Sequence, residues 1–216
     1  EVASGFVIFI FNIQIIKYIG DIGIVVYGII SNCIIVGMAL FNGVAQASQP
    51  IIATNYGAKE KCRVKKVFEY AMKTTILLGF LLFSIVFIFT KEVICIFVKA
   101  DYRIINMGVP AVRMYLSAFC IMNINVLFAN YFQSTEREKI SIIISITRGF
   151  LLNVILVLSL PTILGGLSLW VIVPLTEIIS LLGIILYIKK YYYKSNENIK
   201  CNNFELTNEI EYKNIQ

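Results

Sequence analysis

Histidine is absent from this 216-residue sequence, and charged side chains make up only 15% of it. The first absence removes the commonest general base and metal ligand, so any proton chemistry falls to a few carboxylates. The second removes the charged faces that a soluble domain of this size displays. No C-x-x-C spacing occurs: Cys33, Cys62, Cys95, Cys120 and Cys201 stand far apart, so neither a zinc site nor a disulfide framework is indicated and all five read as apolar fillers. P-loop, nucleotide fingerprint, G-x-S-x-G and H-E-x-x-H motifs are all missing, so no metal and no cofactor is expected. Position 1 is not Met, and Glu1-Val2 leads straight into an apolar stretch without the charged start of a signal peptide. That opening is expected of the C-terminal piece of a longer protein.

Apolar residues fill the space the charges leave. They reach 58% of the chain, mean hydropathy is +0.81, and the windows 140–160 and 167–188 hold a single charge each. Such windows match the length needed to cross a bilayer. The chain is therefore read as an all-α, polytopic membrane protein, which excludes soluble enzymes and nucleic-acid binders. The net charge of +6 sits in short clusters beside the apolar segments, at Lys59, Lys61, Arg63, Lys65 and Lys66 and again at Lys189, Lys190 and Lys194. That is the bias of cytoplasmic loops, not a nucleic-acid footprint.

Six spanning helices are expected, at approximately 3–19, 24–49, 67–89, 109–133, 140–160 and 167–188, forming one unit over 1–194. Pro50 should kink or end the second, because proline lacks the backbone donor. Pro161 and Gly165-Gly166 should make a tight hairpin between the last two, and 91–103 a short interfacial helix. Loops 57–66, 134–139 and 189–194 carry ten Lys or Arg, against Lys91, Lys99 and Arg103 on the other side. The richer side should be cytoplasmic, with both ends of the segment there. Residues 195–216 turn to Asn, Glu and Lys and are expected to be a disordered cytoplasmic tail. Tyr191-Tyr192-Tyr193 reads as an interfacial anchor.

Several polar residues fall inside the apolar windows. Asn42, Gln46 and Gln49 share one helical face, while Ala39, Gly43 and Ala47 repeat every four residues on a neighbouring one, a spacing that lets two helices approach closely. Asn123, Asn130 and Gln133 form a second amide stripe. Two stripes suggest a shared hydrated lumen, the alternative being amides that hold helices together. Arg148, with Ser141 and Ser145 on its face, and Glu177, with Trp170 and Pro174 on its own, are the most informative residues. A charge near the bilayer centre costs roughly 2.5–3.5 kcal/mol and is rarely left unpaired. Counted from a hairpin centre near Leu164, the two differ in depth by about 5 Å, which long side chains can span. A fixed ion pair and a titratable carboxylate that changes partner both fit.

In order along the chain, Gln46-x-x-Gln49-Pro50, Asn55-Tyr56-Gly57-Ala58, the basic loop with Arg63-Val64-Lys65-Lys66, Tyr131-Phe132-Gln133, Ser145-x-x-Arg148 and Pro174-x-x-Glu177 resemble the C-terminal half of a multidrug and toxic compound extrusion (MATE) transporter of the bacterial damage-inducible-type branch. The likeness runs through about residues 1–190. It implies one lobe of a twelve-helix, two-lobed antiporter in the bacterial plasma membrane that exports organic cations or amphiphilic small molecules against H⁺ or Na⁺ by alternating access. The partners implied are the missing N-terminal six-helix lobe, the lipid bilayer and those substrates, in a monomer. Sodium-coupled relatives use carboxylates in the helices matching 3–19 and 109–133, whereas this chain has Asn12, Asn123, Asn125 and Asn130 there, so the coupling ion stays open. A flippase-superfamily exporter of a lipid-linked saccharide or cell-wall precursor is the alternative, and would be expected to line its cavity with more cations than Arg148. A membrane enzyme is disfavoured by the lack of His and of clustered carboxylates.

Overall fold

The computed structural model describes the backbone of residues 2–98 and 101–194 and the side chains of 5–98 and 101–190. The tail expected over 195–216 and the side chains of the tyrosine run lie outside the described residues. Among the described residues nine α-helices follow one another: α1 (Val2–Tyr18), α2 (Asp21–Gly57), α3 (Lys61–Ile88), α4 (Thr90–Phe97), α5 (Tyr102–Leu116), α6 (Phe119–Ser134), α7 (Glu138–Ile146), α8 (Leu152–Leu164) and α9 (Ile172–Lys194). A π-helical turn over Thr147–Leu151 joins α7 to α8, and a 3₁₀ turn over Gly166–Val171 leads into α9. Five segments of the described residues are long and apolar enough to cross a membrane, namely Asp21–Gly57, Lys61–Ile88, Tyr102–Ser134, Glu138–Leu164 and Gly166–Lys190; Gly5–Tyr18 is apolar but shorter.

Several elements depart from the sequence expectation. Proline 50 neither ends α2 nor opens a loop: the helix runs on to Gly57, about 55 Å for its 37 residues. Beyond the proline, Thr54 Oγ1 donates to Pro50 O at 2.9 Å and Asn55 Nδ2 to Ile51 O at 2.8 Å, so both polar side chains of the continued helix are satisfied by its own backbone. The short helix α4 ends at Phe97, and the next begins at Tyr102 because Asp101 caps it, accepting from Arg103 N at 2.9 Å. That span is interrupted at Ser117-Ala118 between α5 and α6. Pro161 lies within the last turn of α8, and Gly165, with φ 79, makes the hairpin alone. Pro174 is no break either. It is the third residue of α9, where the 3₁₀ turn passes into the α-helix.

Helices α2 and α6 form the spine, α2 packing on α1, α3, α5 and α6, and α6 on α2, α3, α7 and α9. Phe11 stacks on Tyr27 at 5.4 Å with Tyr115 edge-on to both, tying α1, α2 and α5, while Phe41 and Phe119 meet as a T between α2 and α6. Close approach uses other glycines than expected. A Cβ on Gly37 would meet the Phe119 ring at 2.6 Å, and one on Gly79 would collide with the Asn123 amide and Phe119 O. Gly43, by contrast, has nothing within 4 Å, and Ala39, Gly43 and Ala47 are all exposed. The small-residue stripe therefore packs no helix among the described residues. Cys33 and Cys120 are half-buried free thiols and Cys95 an exposed one, whereas Cys62 is disulfide-bonded, against the expectation of a filler.

Candidate functional site

Arg148 stands on the π turn, where the extra residue per turn rotates it away from the exposed faces of α7 and α8. Its Nη1 lies 3.6 Å from Glu177 Oε2, and Glu177 is only 4% exposed. The same nitrogen donates to Met122 O of α6 at 3.4 Å. Asn125 Nδ2, also on α6, donates to Glu177 Oε2 at 2.6 Å and to the Glu177 backbone carbonyl at 2.9 Å. One carboxylate thus receives a cation from the π turn and an amide from α6, the partners a buried charge needs. A second tie runs beside it: Asn153 Nδ2 donates to Arg148 O at 2.8 Å, and Thr176 Oγ1 to Asn153 Oδ1 at 3.2 Å. Asn125 Oδ1 is buried with no hydrogen-bond partner, so the amide's orientation is set by the carboxylate.

Among the described residues the two amide stripes share a cavity only at their ends. Asn123 is buried, donates to Thr75 O of α3 at 2.6 Å, and fills the space left by the missing Cβ of Gly79; it joins α6 to α3. Asn130 donates to Val126 O of its own helix at 2.9 Å. Asn42 is half-buried and Gln46 exposed on the open face of α2. Only Gln49 and Gln133 are brought together, at the far ends of α2 and α6, where with Pro50, Ala53, Tyr56, Gly57, Ser134 and Glu136 they line a pocket of about 550 Å³.

Sequence reasoning left Asn125, Asn153 and Thr176 out of the candidate site. Asn125 is off the Asn123/Asn130 face, and a mid-span asparagine five residues after the arginine, beside a threonine next to the glutamate, was the available signal. Another omitted charge is Arg113 on α5, whose Nε donates to Thr90 Oγ1 at 3.1 Å and whose guanidinium lies 4.5 Å from the centre of the Phe87 ring. It is held at the α3–α4–α5 corner and is not part of the pocket lining. No group of three or more Cys, Asp or Glu suited to a metal ion occurs among the described residues.

A family model described as MatE matches residues 2–158. Among solved structures, an outward-facing multidrug resistance MATE family transporter of the MOP superfamily superposes with a TM-score of 0.79 at 16% identity, covering 88% of this chain and 43% of that one. An inward-facing structure of the same description gives 0.78 at 18% identity over 90% of this chain and 46% of its own. A MOP superfamily transporter from Pyrococcus furiosus, whose reversed binding-pocket polarity is said to suggest a different function, gives 0.78 at 17%, covering 91% of this chain and 44% of that one. The chain thus spans less than half the length of the structures it matches. No curated protein matches.

Proposed function

Since the chain belongs to the MatE family, we propose that it is the C-terminal six-helix lobe of a secondary active exporter of organic cations or amphiphilic small molecules, driven by an H⁺ or Na⁺ gradient in a bacterial plasma membrane. α1, the spans of α2 and α3, the joined α5–α6, the α7–α8 segment and α9 make up the lobe. The partner lobe, supplied by the rest of the protein, faces the open side of α2 where Gly43, Gln46 and Ala47 are exposed. Near-equal superposition on outward- and inward-facing relatives supports a lobe that rocks as a rigid body between two states.

The observation that carries the reading is the buried Arg148–Glu177–Asn125 cluster. An intramembrane ion pair held by an amide is a costly arrangement that a merely structural bundle has little use for, and a π turn at the cation is common at functional positions. The flippase alternative calls for a cation-lined cavity, and the pocket between α2 and α6 has no Lys or Arg in its lining. The test is Glu177→Gln in the full-length protein, expressed in a pump-deficient strain. Efflux of cationic dyes should fall while membrane abundance is kept. Full efflux at normal abundance would show that this carboxylate is neither a necessary pair member nor a coupling group.

A further inference from the structure

We propose that the pocket between the C-terminal ends of α2 and α6 binds an ammonium group, supplied by a free alkylammonium ion or by a lipid headgroup. This goes beyond the transport reading, because occupancy of this pocket does not depend on Glu177 or on export. At about 550 Å³ the pocket is in the range of small-ligand sites. Its walls are mostly small or uncharged, with one aromatic ring, Tyr56, two amides, Gln49 and Gln133, and one carboxylate, Glu136. An ammonium ion is attracted by a carboxylate, by the face of a tyrosine ring and by amide oxygens, and it needs no acceptor in itself.

The backbone adds to this field. Helix α2 lines the pocket with the side of its last two turns, and α6 with its last residues, Gln133 and Ser134, whose partially negative helix end favours a cation. Both also close in the same hydrogen-bond pattern, with Glu60 N donating to Asn55 O and Arg137 N to Phe132 O, each at 2.9 Å. The residue at the left-handed position is Lys59 (φ 61) after α2 and Glu136 (φ 58) after α6, where glycine is the usual occupant. Lysine at least carries the charge a helix C-terminus prefers. Glu136 is unfavourable twice over, by backbone conformation and by charge, and among the described residues it forms no ion pair. An anion placed where the fold disfavours it, without an ion pair among the described residues and in one pocket lining with an aromatic ring and two amides, is explained by a cation that binds there.

The experiment measures tritiated tetraethylammonium binding to the full-length protein in phosphatidylglycerol nanodiscs. Glu136→Gly and Glu136→Gln should each weaken it about tenfold and Tyr56→Leu about threefold, while Tyr56→Phe keeps the ring and the affinity. Glycine suits the left-handed position, so Glu136→Gly tests the carboxylate in a folded protein. Glu138→Gln, outside the pocket, and Glu177→Gln should bind as the unmodified protein does, even where Glu177→Gln abolishes efflux. In nanodiscs containing phosphatidylethanolamine, competition with the probe, and fewer copies of that lipid retained by Glu136→Gly, would assign the headgroup as occupant; undiminished probe binding would assign the free ion. Equal probe binding and equal retained lipid in Glu136→Gly and the unmodified protein would overturn the proposal, as would loss of probe binding in Glu177→Gln alone.

Discussion

Glu177 and Glu136 are two carboxylates set among amides, and the fold treats them in opposite ways. Around Glu177 everything is closed: the side chain is buried, Arg148 and Asn125 occupy the same carboxylate oxygen, and Asn153 and Thr176 tie the flanking backbone together. Around Glu136 everything is open: the residue is exposed, strained and on the wall of a pocket. The difference follows from where the residues sit. A charge in mid-span has no water to fall back on and must be satisfied by protein, whereas one beyond a helix end can await a ligand.

The two carboxylates differ first in depth, and membrane sidedness decides which solution Glu136 meets. The ends of α2 and α6 should face the cytoplasm, given the lysine bias of the adjoining loops. A cysteine replacing Lys61 in a cysteine-free full-length protein should react with an impermeant maleimide only in inverted vesicles. Labelling from outside intact cells would place the pocket on the other face and reverse its proposed role.

Removing the cation from the closed site comes next in size. Arg148→Gln leaves the Glu177 carboxylate buried with only Asn125, and losing one partner of a buried pair costs about 3–5 kcal/mol. Membrane abundance and thermal unfolding of the full-length protein should both drop sharply. The double variant Arg148→Gln, Glu177→Gln should recover most of both, since two neutral amides can bond each other. A double variant no better than Arg148→Gln alone would show that the pair does not act as a unit. Asn125→Ala removes the second partner and leaves Arg148 in place; the expected loss is about 1–3 kcal/mol, read in the same unfolding assay. An unchanged unfolding temperature would mean that the amide on α6 does not hold the carboxylate.

Much of the closed site was legible in the sequence. A single charge in each of two apolar windows joined by a short hairpin already forces Arg148 and Glu177 to similar depth, because helix rise is fixed. Asn125 was not legible, since an asparagine advertises itself through periodicity only when its stripe mates share its face. The surroundings of the amide stripes were illegible for a related reason. Periodicity places Asn123 and Asn130 on one side of α6, but whether that side meets water or another helix depends on Gly79 across the gap and on the backbone carbonyl within reach of Asn130. Gly43 fails in the same way, as small-residue spacing permits close approach without supplying a neighbour. The pocket was half visible: Gln49 and Gln133 were singled out separately, but the continuation of α2 past Pro50, which carries Tyr56 to the pocket wall, runs against the local signal of proline.

The smallest expected effect compares the two left-handed residues that close α2 and α6. Replacing either by glycine relieves backbone strain, a gain of about 0.5–1 kcal/mol. The helix dipole then separates them. Glu136→Gly also removes an unfavourable anion from a helix C-terminus, adding about 0.3–1 kcal/mol, whereas Lys59→Gly removes a favourable cation and loses a similar amount. With no ammonium ligand present, Glu136→Gly should therefore raise the unfolding temperature of the full-length protein, and Lys59→Gly should leave it nearly unchanged. Thermal unfolding in detergent at low salt is the measurement, because screening weakens the dipole contribution. If Lys59→Gly stabilises as much as Glu136→Gly, the strain is relieved equally but charge is irrelevant at these helix ends, and the electrostatic half of the case for a cation pocket falls with it.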